Sequence, residues 1–306
     1  MLRSPDSAAN RPLSLAFCSI VRVYAGRREA NVKIGFIGAG KVGFSLGKYL
    51  AEHGADIVGY CSAHAASAQE AAAFAGGHAY ADAPGLIAAS EMVFLTVPDG
   101  SIAPVWGEIA QGAHTGAVDL SGKSVCHCSG ALPSTVFAGI EELGGWGYSV
   151  HPLYAVSSKY TSYRELGNAF FTVEGSAAHL DDIVGLLRAA GNEVQVIDAK
   201  DKVRYHAAAV MASNLVVGLY STAADQLVQC GFPPDTAERA LRPLFLGNAE
   251  HIVYDGVVDS LTGPAERGDT ATIEKHLACL EGRDRVIYEQ LTSVLYDIAA
   301  VKHDRA

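Results

Sequence analysis

The sequence predicts a doubly wound, mostly parallel α/β domain followed by an all-α domain. Three observations carry this. Short, β-branched apolar runs alternate with helical patterns up to about residue 198, as in a parallel sheet covered on both faces. A Gly-x-Gly-x-x-Gly turn formed by Gly38, Gly40 and Gly43 joins the first such run to the first helical pattern. From about Lys200 the strand signal stops and long helical patterns take over. The chain has 306 residues, of which 49% are hydrophobic and 18% charged, enough for about two domains with a substantial core.

Residues 1–30, rich in Arg, Ser and Ala, precede the first strand. The apolar stretch within residues 12–21 runs directly into Arg22, Arg27 and Arg28, without a convincing small-x-small cleavage site. A disordered tail, or an over-long start, is expected there. Residues 31–199 are then the dinucleotide-binding domain and residues 200–306 a helical substrate and dimerisation domain. Further strands are expected at 55–61, 78–80, 92–97, 124–128, 147–150, 169–173 and 193–197. Helices are expected at about 200–229, 235–255 and 269–302, with Gly231, Pro233 and Pro234 separating the first two.

The glycine turn has the strand before it and the helix after it that its chemistry requires. Gly38 permits the turn, Gly40 lets backbone approach a pyrophosphate, and Gly43 lets helix and strand pack closely. Residues Gly38, Ala39, Gly40, Lys41, Val42 and Gly43 are therefore the expected phosphate seat, at a helix N-terminus with free N–H groups and partial positive charge. A site for NAD carries an acid at the end of the second strand. Asp56 stands at the wrong end of that strand, and the far end offers Ser62, His64 and Ser67 instead. The expected cofactor is thus NADP, with NAD less favoured, bound by Ser62 and His64.

Ligands of open α/β sheets lie beyond the carboxyl ends of the strands. Val97 ends the fourth strand there and Pro98 follows it, both expected to bind the cofactor; Ser129 follows the fifth strand, and His127 and His151 end theirs. Imidazole titrates nearest neutral pH and suits proton delivery during hydride transfer. In the helical domain His206, Val210, Ser213 and Asn214 share one face of a continuous helix, with His206 and Asn214 about 12 Å apart along its axis. The sequence therefore assigns catalysis to His151, His127, His206 and Asn214, and substrate binding to Ser129, Ser213 and Arg267. Arg267 is suited to a carboxylate. In the same loop, Pro264 and Asp269 also suit plain helix punctuation. Cys126 and Cys128 face away from His127 on their strand, which argues against a metal site.

The net charge of −10 argues against nucleic acid or an anionic membrane as partner. No apolar run is expected to reach the ~20 residues of a membrane span. The six scattered cysteines, with no CxxC pair, fit reduced thiols in a cytoplasm.

His127-Cys128-Ser129-Gly130, His151-Pro152, Tyr205-His206 with Ser213-Asn214, Leu261-Thr262-Gly263-Pro264 with Arg267-Gly268-Asp269, and His276-Leu277 occur together. Over about residues 31–297 this set resembles an uncharacterised bacterial family with a Rossmann-like domain followed by a helical domain of unknown function, provisionally assigned as NADP oxidoreductases. More distantly it is similar to pyrroline-5-carboxylate reductase, prephenate dehydrogenase and the β-hydroxyacid dehydrogenases. The resemblance implies a Rossmann-type sheet, a helical domain of the 6-phosphogluconate-dehydrogenase-like kind, and a homodimer through the C-terminal helices. One departure is plain. β-Hydroxyacid dehydrogenases place a catalytic Lys four residues before a helix Asn, and Val210 stands four before Asn214. The expected activity is hydride transfer between NADP(H) and a small carboxylate-bearing ketone, imine or alcohol. A non-catalytic dinucleotide sensor and a deazaflavin-dependent NADP reductase are the competing readings.

Overall fold

The computed structural model describes residues 32–305, so the expected tail at 1–30 lies outside the described residues. Eight strands form one sheet: β1 (Lys33–Ile37), β2 (Asp56–Cys61), β3 (His78–Ala79), β4 (Met92–Leu95), β5 (Ser124–His127), β6 (Trp146–Leu153), β7 (Phe170–Gly175) and β8 (Val194–Val196). Their order is β3-β2-β1-β4-β5-β6-β7-β8. The first six follow the doubly wound nucleotide-binding order, with its switch point between β1 and β4. Helices α1 (Lys41–Glu52), α2 (Ala65–Ala75), α3 (Ala83–Ala89), α4 (Asp99–His114) and α5 (Leu180–Ala189) alternate with them.

Side chains alternate across the sheet and feed two separate cores. Phe36, Phe94, Cys126 and Tyr148 pack with Phe44 and Leu50 of α1 and Ala68 of α2. Ile37, Val93, Leu95 and Val125 pack on the other face with Ile102, Trp106 and Ile109 of α4. Burial on both faces is why these strands read as nearly unbroken apolar runs.

One strand pair departs from the parallel pattern: β7 runs antiparallel to β6, with His151 opposite Thr172. The connection over 154–169 carries only short 3-10 turns, and a parallel return would need a full crossover. It passes over α1 instead, where Ser45 Oγ donates to the Ser158 carbonyl at 3.1 Å. In consequence His151 lies inside β6, two residues before its end, rather than beyond it.

The chain divides into two compact units, one extending to Tyr205 and the other spanning His206–Ala306. The second unit begins within α6 (Lys202–Met211) and continues with α7 (Asn214–Gln229), α8 (Pro234–Ser260), α9 (Thr270–Cys279) and α10 (Gly282–Asp304). Two of the expected long helices are each broken. The 200–229 helix stops at Met211, where Ser213 leaves helical geometry (φ −128°, ψ −85°) and its Oγ donates back to the Ala209 carbonyl at 2.7 Å. Ser commonly competes for backbone groups in this way. The 269–302 helix breaks at Leu280 and Glu281, whose backbones are extended. Helix α8 outruns its expected end across a kink at Gly256 (φ 83°).

Among the described residues one stretch, Ala199–Gln229, which runs across the break at Ser213, holds an 18-residue window of mean hydropathy 1.4, long and apolar enough by length and composition to cross a membrane. This departs from the expectation that no run reaches that length.

Candidate functional site

The glycine turn is built against Thr96, the first residue past β4. Gly38 adopts φ 105°, and a Cβ there would lie 2.8 Å from the Thr96 carbonyl carbon and oxygen. Thr96 N–H donates to the Ile37 carbonyl at 2.8 Å, and Thr96 Oγ1 donates to the Gly38 carbonyl at 2.8 Å. Gly43 closes the wedge, since a Cβ there would strike Thr96 Oγ1 and approach the Gly38 oxygen to 2.6 Å. Gly40 differs. It is exposed, and a Cβ there would meet only the Thr96 oxygen, at 3.8 Å. It is also the N-cap of α1, with no side-chain cap hydrogen bond and no acid in the first turn. The protein thus keeps clear the one position where a diphosphate needs backbone contact, so these residues fit a dinucleotide. Ala39 is buried beneath the turn, Val42 is half-buried, and Lys41 is exposed at the first helical position.

At the end of β2, Ser62 is half-buried and His64 is the exposed N-cap of α2. Sequence reasoning missed one acid nearby. Asp82, the N-cap of α3, lies close enough to help burial raise the Cys61 thiol. Its Oδ1 is committed to the Gly85 N–H at 2.9 Å. Val97 is half-buried against the second core, and Pro98 is the exposed N-cap of α4.

The rim of β5 is a polar lattice. Ser129 Oγ donates to Asp99 Oδ2 at 2.7 Å, and accepts from the Leu132 N–H at 3.0 Å. His127 was expected to carry protons, and the structure corrects this. Its ring is fully buried against Phe137. Ser129 N–H donates to Nδ1 at 3.2 Å, which leaves Nε2 as the protonated nitrogen, donating to the Pro133 carbonyl at 3.3 Å. Both nitrogens are spent holding the 127–133 loop. Burial lowers its pKa from 6.5 to about 4. The sign follows directly: between these values the unfolded chain takes a proton that the folded chain refuses. Stability is therefore lost as pH falls from about 6.5 to 4, by on the order of 3 kcal/mol. Urea midpoints across that range should show this acid limb, and His127→Gln, which cannot titrate, should flatten it.

His151 is placed differently. Its Nδ1 lies 2.7 Å from the Tyr205 hydroxyl. Burial raises the Tyr205 pKa, and the neighbouring Thr172 hydroxyl lowers it; the Tyr205 hydroxyl can donate to Nδ1 of a neutral ring. The neutral ring then carries its proton on Nε2. Thr172 sits opposite His151 in the β6–β7 register, which is what brings this trio together.

Sequence reasoning also missed Lys202. It is 0% exposed. Its Nζ donates to the Ser129 carbonyl at 2.9 Å and to Ser149 Oγ at 2.7 Å, and Ser149 Oγ donates in turn to the same carbonyl at 3.2 Å. Desolvation pushes its pKa down to about 8, opposed chiefly by the charges of Glu174 and Asp99.

The remaining expected residues belong to the helical unit. Ser213 is spent on the Ala209 carbonyl and on Asn214 Oδ1 at 3.2 Å. Asn214 is the first residue of α7 rather than a helix-interior Asn, so the penalty that suggested a function for it does not apply. With the helix broken between them, His206 and Asn214 no longer share one continuous face. Arg267 is exposed in a loop whose Asp269 caps α9 through the Thr272 N–H at 3.1 Å, so Asp269 serves as helix punctuation.

With this geometry in hand, the matches to known families are informative. Residues 21–152 match the Rossmann-like domain family, and residues 169–294 match a domain of unknown function, DUF2520. The chain is a Rossmann-like domain followed by a DUF2520 domain. A protein from Thermotoga maritima shares 25% identity and a TM-score of 0.69, over 88% of this chain and 99% of that one. A provisionally assigned NADP oxidoreductase from Bacteroides fragilis shares 24% identity and a TM-score of 0.66, over 88% and 98%. A pyrroline-5-carboxylate reductase from Coxiella burnetii has the same fold at 15% identity, with a TM-score of 0.56, over 89% and 98%. No curated protein matches the chain.

Proposed function

We propose that this Rossmann-like–DUF2520 chain is an NADP(H)-dependent oxidoreductase that transfers hydride to or from a small carboxylate-bearing ketone, imine or alcohol. The observation that carries the reading is the shared rim. The open Gly40 position follows β1, and His151, though inside β6, lies two residues past Ser149, the partner of the last residue of β5, so both stand at the same rim of the parallel strands. The names of the Bacteroides and Coxiella proteins support it, the second naming a cyclic imine with a carboxylate.

The backbone of 38–43 seats the diphosphate against the α1 N-terminus. The preference for NADP rests on the turn after β2, which presents Ser62 and His64 and no carboxylate, while Asp82 is engaged in capping α3. When bound, the cofactor supplies the hydride. His151 supplies or takes the proton at Nε2. Tyr205 makes this possible without movement. It donates to Nδ1 of the neutral ring, and accepts from Nδ1–H of the imidazolium by turning its own proton toward Thr172. The direct test follows NADPH absorbance across a panel of small keto acids and cyclic imino acids. Oxidation with a carboxylate-bearing acceptor is expected; a protein that binds NADPH but oxidises it with none of them contradicts the assignment.

The second proposal within this reading is a homodimer through the helical unit. Val253 and Tyr254 of α8 are 75% and 82% exposed, and Val217 of α7 is 70% exposed. An apolar surface of that extent is an interface signature. A second copy covering it also accounts for the apolar 199–229 stretch without a membrane. Light scattering should give twice the chain mass.

A further inference from the structure

We propose that Lys202 is a positioning residue for the cofactor: its ammonium, clamped between the Ser129 carbonyl and the Ser149 hydroxyl, sets the β5 rim loop and the Tyr205–His151 pair as one unit against the nicotinamide end. This rests on the reading of that rim as a nicotinamide site. Lysine is almost never fully buried without a partner, and an apolar side chain of equal volume is often less costly there. Yet Lys202 is 0% exposed. Both of its hydrogen bonds go to neutral oxygens. The nearby Glu174 carboxylate is itself occupied by the Ser134 N–H at 2.7 Å and Ser134 Oγ at 2.6 Å. A buried charge held this way adds little to packing, so its use lies in what it fixes.

It fixes two things at once. Lys202 and Tyr205 are three residues apart on α6, on one helix face. Nζ lies 5.6 Å from the Tyr205 ring centroid. The ammonium grips the backbone of Ser129, whose hydroxyl meets Asp99 of α4, and the same helical turn delivers the phenol to His151. One turn of helix therefore couples the loop after β5 to the imidazole of β6. Titration offers an independent signature. The groups around Nζ are Glu174 of β7, His127 and Cys128 at the end of β5, Asp99 of α4 and Tyr205 of α6. His127 titrates at about 4 and Cys128 at about 12, which leaves Lys202, at about 8, to lose its charge just above neutral pH.

The test compares calorimetric affinities for NADPH and for 2′-phospho-ADP-ribose, which lacks the nicotinamide. Wild type is expected to prefer NADPH by roughly tenfold or more at pH 7, and to lose that preference at pH 9.5. Lys202→Met should bind both ligands with the affinity of the fragment, and Lys202→Arg should keep part of the preference, now insensitive to pH. Full preference in Lys202→Met overturns the proposal while leaving the site reading intact. A wild type without any preference removes the nicotinamide from this rim, and the proposal falls with that reading. If thermal melts show Lys202→Met unfolded, Ser149→Ala decides by the same comparison: a preference reduced by roughly threefold supports the clamp, and an unchanged one overturns it.

Discussion

The Gly40→Ala protein is expected to melt with the wild type and to lose NADPH affinity by about tenfold or more. The two effects separate because Gly40 has no role in the fold that alanine cannot fill. Its backbone is extended (φ −80°, ψ −172°), so alanine adopts it without strain, and the new Cβ makes one ordinary contact, at 3.8 Å. What the methyl occupies is the approach to the α1 N–H groups. Gly43→Ala provides the contrast. There the Cβ runs into Thr96 Oγ1 and the Gly38 carbonyl. Overpacking of this kind costs about 1–3 kcal/mol and displaces the turn itself, so both melting temperature and affinity fall. Melting curves and NADPH titrations on the two variants check the pair. Normal NADPH affinity in Gly40→Ala would remove the diphosphate from this turn.

His151→Ala should reduce NADPH turnover by about 10²–10⁴-fold while leaving NADPH binding unchanged, the usual cost of losing a positioned acid or base. Tyr205→Phe removes only the partner of Nδ1, at 2.7 Å, so part of the rate should survive, with the pH dependence of kcat displaced. Steady-state kinetics with the best acceptor from the panel, alongside NADPH titrations, separate the two. Full turnover in His151→Ala would exclude it as the proton carrier.

The sheet was legible because both of its faces are buried. Residues such as Phe36, Val93 and Val125 alternate between two cores, so the inner strands stand out as apolar runs, while the edge strands β3 and β8 are short and largely exposed. The glycine turn was legible because Gly38 and Gly43 answer steric demands of the fold, and Gly40 completes the spacing where the fold itself makes none. The helical unit was less so. A single serine hydroxyl turning back to Ala209 splits a helix whose periodicity runs on unbroken. The site was half legible. His151 is recognisable in an apolar run, but its partner Tyr205 comes from α6 and the facing Thr172 from an antiparallel register, neither of which periodicity encodes. His127 looks equivalent in the sequence, and only its depth and two hydrogen bonds make it structural. Lys202 follows Lys200 and Asp201 in what reads as a solvated charge run. Lys200 does pair with Asp198 at the surface, and nothing local distinguishes the lysine that turns inward.

Everything proposed for the rim depends on a nicotinamide dinucleotide lying across β1 and β4. Calorimetric titration of the intact chain with NADPH, and separately with NADH, tests this most directly. The account predicts saturable one-site heat with NADPH and weaker binding of NADH. No heat with either would contradict it.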